Sequence, residues 1–164
     1  MDAIAVLQLE LEIRLLKIEQ VETDTLEFDR QNPRLAEYGI TAKSTDEKII
    51  GILWDEMDAA EIALSVAASG FFAHEQLIVA KEQGKNIVLE GNRRLAAVRV
   101  LKDRKLAEGK SWNLPKLKKV ILNSLSELPV IFTSRKDSWR PLGFKHVNGP
   151  AKWTSYAKAA YVQT

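Results

Sequence analysis

The chain contains no cysteine, which removes disulfides, a thiolate nucleophile and any cysteine-ligated zinc from consideration. It has two histidines, His74 and His146, too far apart in sequence to argue for a metal site. No apolar run approaches the roughly 20 residues that span a bilayer. The opening "MDAIAVLQLELEIR" carries acids among its leucines and lacks the basic start of a signal peptide. There is no internal repeat and no low-complexity segment. Neither a Walker A sequence nor G-x-G-x-x-G is present. The expectation is a cytoplasmic protein with no membrane contact. Its 164 residues form one domain, long enough to bury its own core. The last helix stops without a capping glycine, as in the N-terminal part of a longer protein.

Charge is present but unevenly placed. Residues 1–84 hold 7 Lys/Arg against 17 Asp/Glu, a net of −10. Residues 85–120 hold 11 against 3, a net of +8. A concentrated basic segment points to a phosphate-bearing partner. The alternative is a solvated helix face that pairs with the acidic half.

Periodicity supplies the elements. Residues 7–15 alternate like a strand but use helix-favouring residues, and both readings stay open. Residues 24–28 read as a strand and 29–35 as a loop, because Pro33 keeps Asn32 out of the helical region. A helix begins at Ser44 or Thr45 with Ile49, Ile50, Leu53 and Met57 on its apolar stripe. A second helix is capped by Asp58, with Glu61 completing a capping box, and stops at Gly70. Strands at 77–81 and 86–90 are joined by a turn around Gln83-Gly84-Lys85. Helix follows from Asn92 to Gly109, with Leu95, Val98 and Leu101 on one face. A basic loop surrounds Pro115, a strand covers 128–134, and the final segment is helical.

The chemistry concentrates in "IVLEGNRRLAAVRVL", from Ile87 to Leu101. A strand turns at Gly91 into a helix whose first residues are Asn92, Arg93 and Arg94. A helix N-terminus presents unpaired N–H groups and partial positive charge, and phosphates bind there. Gly91 lets an anion approach the backbone and allows positive φ. Asn92 is placed to cap the helix or donate an amide hydrogen bond. The arginines add charge-assisted bonds to phosphate oxygens. Glu90 is a candidate to hold an arginine, to assist Mg²⁺ beside a phosphate, or to act as a base. The plain alternative is a turn glycine followed by surface arginines.

The order of pieces resembles the N-terminal domain of the ParB/sulfiredoxin superfamily. "LEFDRQNPRL" precedes helices ending at Gly70; then come "FAHEQLIV", "IVLEGNRRLAAVRVL" and "LPVIF". The likeness covers roughly residues 26–160 and is strongest at Gly91-Asn92-Arg93-Arg94 with Ala96 and Ala97. It implies an α+β fold: a small mixed sheet flanked by helices, with a Gly-x-x-Arg phosphate-binding turn. It also implies Mg²⁺ with a nucleoside triphosphate, CTP or ATP, whose phosphates lie on Gly91, Asn92, Arg93 and Arg94. By position, Asn32 and Arg34 lie at the mouth of the same pocket. "KHVNGPAKW" stands where ParB proteins carry further phosphate contacts, so His146, Asn148 and Lys152 take related roles there. The glutamate of that ParB box is absent, and Asn92 occupies the sulfiredoxin cysteine position, which excludes sulfiredoxin chemistry.

Three functions follow. The first is a nucleotide-binding, NTP-hydrolysing switch in a DNA-directed system such as plasmid maintenance or phage defence, with Glu90 and His146 as candidate catalytic groups. It would act as a homodimer or with a fused C-terminal domain. The second is a DNA-binding or nuclease module using the same basic turn. The third is a small-molecule kinase of the serine-kinase type, with Glu90 or Glu75 as base. Lys116, Lys118 and Lys119 are nucleic-acid-backbone candidates, and Trp112 in the same segment stacks on a base or fills the core edge. His74 reads as a packing or hydrogen-bonding residue, Trp54 as core, and Trp139 and Trp153 as anchors of the His146 loop. His146 is itself also placed for a loop-stabilising hydrogen bond.

Overall fold

The computed structural model describes residues 17–138, together with Ala3, Ile4, Leu7, Gln8 and Leu11. His146, Asn148 and Lys152, the anchors Trp139 and Trp153 and the final helix lie outside the described residues. The described residues of the N-terminal segment are helical, so helix propensity prevails there over the alternating pattern.

The architecture is mixed α+β, built on a five-stranded sheet in the order β1-β5-β3-β4-β2. The strands are β1 (Ile18–Glu22), β2 (Leu26–Phe28), β3 (Leu77–Glu82), β4 (Lys85–Glu90) and β5 (Glu127–Phe132). β3 runs antiparallel to β4 and parallel to β5, β2 runs parallel to β4, and β1 runs antiparallel to β5. The β3–β4 hairpin turns on Gln83 (φ 51°) and Gly84 (φ 76°). Two positive φ values in a two-residue loop match the right-handed strand twist.

The helices are α1 (Pro33–Ala36), α2 (Asp46–Asp55), α3 (Ala59–Ser69), α4 (Asn92–Lys102) and α5 (Lys119–Ser124). α2, α3 and α4 pack together over the sheet face that carries Leu26, Phe28, Leu77, Val79, Val88, Leu128 and Val130. Burying one such Leu or Phe contributes about 1.5–3 kcal/mol. Ala80 and Ile131, which alternate with core-facing Val79 and Val130, are buried as well. Thr45 caps α2 by accepting from Lys48 N at 3.2 Å. Its expected stripe is buried, and so is Trp54.

Several local expectations fail for identifiable reasons. Asp58 precedes α3 but sits at φ 62° and makes no side-chain cap bond, so the capping box with Glu61 does not form. The short link from α2 forces a left-handed residue there, whereas a capping side chain needs extended backbone. The long helix from Asn92 ends at Lys102 rather than Gly109. Asp103 is extended, and its carboxylate accepts from Lys105 N at 3.1 Å, starting a separate 3₁₀ turn at Arg104–Ala107. α4 is buried nearly all round, including Ala96, Ala97 and Val100. It lies between the sheet and the other helices, so the single apolar face of Leu95, Val98 and Leu101 understates it. The loop at 29–35 contains the one-turn α1, capped by Asn32 Oδ1 accepting from Arg34 N at 2.9 Å.

Candidate functional site

The site lies where β4 passes through Gly91 into α4. Gly91 has φ 103°, a conformation that side chains resist. A Cβ there would overlap Leu77 Cδ2 and stand 3.2 Å from Arg94 Nη2. The turn therefore needs glycine for backbone geometry and for space together. Beyond it, the N–H groups of Asn92, Arg93 and Arg94 open the helix without intrahelical acceptors.

Asn92 does not cap α4, because Gly91 holds that place. Its side chain is buried and both ends are engaged. Oδ1 accepts from Asp29 N at 3.1 Å, and Nδ2 donates to Val88 O at 2.9 Å. What Asn92 leaves open toward a ligand is its backbone N–H.

The arginines divide by role. Arg93 Nη1 donates to Met57 O at 3.0 Å, fixing the link between α2 and α3. Arg94 Nη1 donates to Glu75 O and to Gln76 O, which holds the approach to β3. Arg94 Nη2 also faces Glu90 Oε1 at 3.8 Å, and both side chains are largely buried. Burial lowers the Arg94 pKa from its usual value; Glu90 and Glu75 oppose that, and Arg93 adds to it.

Arg34 is brought to the same place from the "NPR" segment. Its backbone N–H bonds to Asn32, but its half-buried guanidinium has no hydrogen-bond acceptor among the described residues. Burial lowers its pKa and the Arg93 charge lowers it further; Glu90, Glu37 and Tyr38 act the other way. The fold thus gathers Arg34, Arg93, Arg94 and Glu90 around one helix N-terminus. Glu90 sits among cations, which suits a carboxylate that holds charge in place.

Other candidates fall elsewhere. His74 is exposed on the loop before β3, with its ring 5.4 Å from Phe72. Glu75 is exposed on that loop. Trp112 stacks on Trp54 at 4.9 Å and donates to Asp55 Oδ1 at 2.7 Å, so it fills the core edge. Lys116 and Lys118 stand on the irregular segment before α5, and Lys119 is the first residue of α5. Among the described residues, no three His, Asp or Glu side chains gather as metal ligands. No described helix is long and apolar enough to cross a membrane.

Two networks beside the site carried no sequence signal, because their members are remote in the chain. Arg135 is bidentate to buried Asp29, at 2.9 and 3.0 Å, and also to Glu82, at 2.7 and 3.0 Å. Asp46 pairs with Arg30 at 2.6 Å and with Arg99 at 2.5 Å, and Arg99 also donates to Leu26 O. Both brace the end of β2, from which the "NPR" segment departs. No protein-family model matches the chain, and a search of curated proteins finds none that matches it.

Proposed function

We propose that the chain binds a nucleoside triphosphate, with its phosphates on the Gly91 turn between Arg34 and the first turn of α4. The observation that carries this reading is Arg34. A half-buried guanidinium beside a second arginine, with no hydrogen-bond acceptor among the described residues and only longer-range offset from Glu90 and Glu37, is a costly arrangement that an anion would relieve. The N–H groups of Asn92, Arg93 and Arg94 open the same helix N-terminus. The space beside the Gly91 Cα is taken by Leu77 Cδ2 and Arg94 Nη2, so an anion would meet these N–H groups rather than the glycine itself. The resemblance to the ParB/sulfiredoxin superfamily implies the same placement, with CTP or ATP as ligand and a DNA-directed switch as the wider role.

Arg34 and the helix N–H groups would bind the phosphates, and Arg93 would orient them from its anchor on Met57. Arg94, tied to Glu90 and to the chain before β3, would hold the wall of the turn. Mg²⁺ accompanying the nucleotide would neutralise phosphate charge, with Glu90 as the adjacent carboxylate.

A thermal-shift screen of CTP, ATP, GTP and UTP, with and without Mg²⁺ at fixed salt, tests the assignment. One nucleotide should raise the melting temperature, and Arg34→Gln should remove that shift without lowering the ligand-free melting temperature. Absence of any nucleotide shift, or an undiminished shift in Arg34→Gln, would overturn it.

A further inference from the structure

The acidic and basic halves of the chain are not simply paired off. Within the basic segment, Lys85, Arg99 and Lys102 are matched to Glu27, Asp46 and Asp24. The matching stops after α4. From Gly109 to Ser126 the sequence contains no Asp or Glu and four lysines. Lys116, Lys118 and Lys119 are exposed, and none of their ammonium groups makes a hydrogen bond or ion pair with a described residue. The ammonium group of Lys105, on the adjoining 3₁₀ turn, is likewise without a partner among the described residues.

These lysines are not on a loose tail. Residues 111–118 form an irregular strap fastened at several points. Arg104 donates to Pro115 O at 2.9 Å and to Leu114 O at 3.4 Å. Trp112 is stacked on Trp54, and Leu114 and Leu117 pack against the core. The strap therefore turns its apolar residues inward and its ammonium groups outward, in a fixed arrangement. Like charges crowded on a rigid surface repel one another, and a partner carrying a row of negative charges relieves that repulsion.

We propose that this strap is a docking surface for nucleic-acid backbone, with Lys116, Lys118 and Lys119 engaging successive phosphodiesters. Ammonium groups suit phosphates as point charges and carry no base information. α5 has six residues, too short to lie along a groove, and the Trp112 ring is already stacked on Trp54, so recognition is by charge and independent of sequence. Residues 1–84 carry a net charge of −10, so the basic segment is the part of the chain that attracts a polyanion. Val120 and Leu122 are exposed nearby, but two apolar side chains on one short helix bury too little to hold a bilayer. These lysines and the Gly91 turn lie on different segments of the chain.

Fluorescence anisotropy of the full chain with a labelled duplex of mixed sequence, between about 25 and 200 mM salt, reads the proposal out. Wild type should bind at low salt, with affinity falling steeply as salt rises. Lys116→Gln/Lys118→Gln/Lys119→Gln, checked for folding by circular dichroism, should weaken binding at least about tenfold and flatten the logarithmic salt slope by about 2–3. A variant with the same charge loss off the strap, Lys17→Gln/Lys43→Gln/Lys136→Gln, should change affinity by less than about twofold. Equal loss in both variants would reduce the effect to net charge and overturn the assignment. So would no binding at the lowest salt. Equally tight, strap-dependent binding to poly-glutamate or to phosphatidylserine vesicles would reassign the surface to an acidic protein or a membrane.

Discussion

The carboxamide of Asn92 accepts a hydrogen bond from the backbone N–H of Asp29 at 3.1 Å, joining residues 63 positions apart. The same side chain donates to Val88 O, so one buried amide ties the end of β2 to β4 and to the start of α4. Asn92→Leu keeps similar bulk and leaves a buried donor and a buried acceptor unsatisfied, each costing about 1–3 kcal/mol. Thermal unfolding followed by circular dichroism should show the melting temperature lowered by about 5–15 °C.

Gly91→Ala should also destabilise, through two separable effects. Positive φ and the overlap with Leu77 Cδ2 together cost about 2–4 kcal/mol. Making room by Leu77→Ala in the Gly91→Ala background should relieve the steric part and leave the backbone part. Chemical denaturation of both singles and the double variant should then give a coupling favourable to the double. Strictly additive losses would show that the overlap is absorbed elsewhere.

Arg135→Met removes the guanidinium that neutralises Asp29, whose side chain is 6% exposed. A buried carboxylate stripped of its partner costs about 3–5 kcal/mol. Asp29→Asn with Arg135 intact should cost less, because Glu82 still engages the arginine. The double variant Asp29→Asn/Arg135→Met should regain stability over Arg135→Met alone in urea denaturation. If it falls below that single, the pair does not behave as a buried ion pair.

Acid should weaken the fold through Glu82 and Asp46. The hydrogen bonds from Arg135 hold the Glu82 carboxyl below its usual range, against the opposing effect of burial. For Asp46 burial acts upward most strongly, yet the bonds from Arg99 and Arg30 outweigh it and its pKa is also lowered. A carboxylate with a depressed folded-state pKa contributes stability above its unfolded value, near pH 4, and loses it as pH falls through the folded value. Urea midpoints measured from pH 7 down to pH 2.5 should therefore fall mainly below about pH 4. Asp46→Asn should start lower and fall less steeply.

The elements that sequence revealed are those whose signal is local. The apolar stripe of α2, the two strands flanking Gln83-Gly84 and the glycine before α4 all advertise themselves within a few residues. β1 escaped because four of its five residues are exposed and the strand exists through pairing with β5, more than 100 residues away. α5 escaped for a related reason: its six residues expose Val120 and Leu122 instead of showing an amphipathic period. At the candidate site, the Gly-Asn-Arg-Arg turn was visible, but its division of labour was not. Whether an arginine faces a ligand or a carbonyl depends on where Met57 and Glu75 come to lie, and that is a property of the packed chain.

The pairing of β1 with β5 also sets an order of events for the growing polypeptide. Ile18 meets Ile131 and Glu22 meets Glu127, and β1 has no other neighbour in the sheet. At ribosomal speeds of about 5–20 residues per second, β1 waits on the order of 5–20 s before its partner is made. The β3–β4 hairpin and α4 can assemble in that interval around the Gly91 turn. The candidate site can thus form before β1 is fastened to its edge of the sheet.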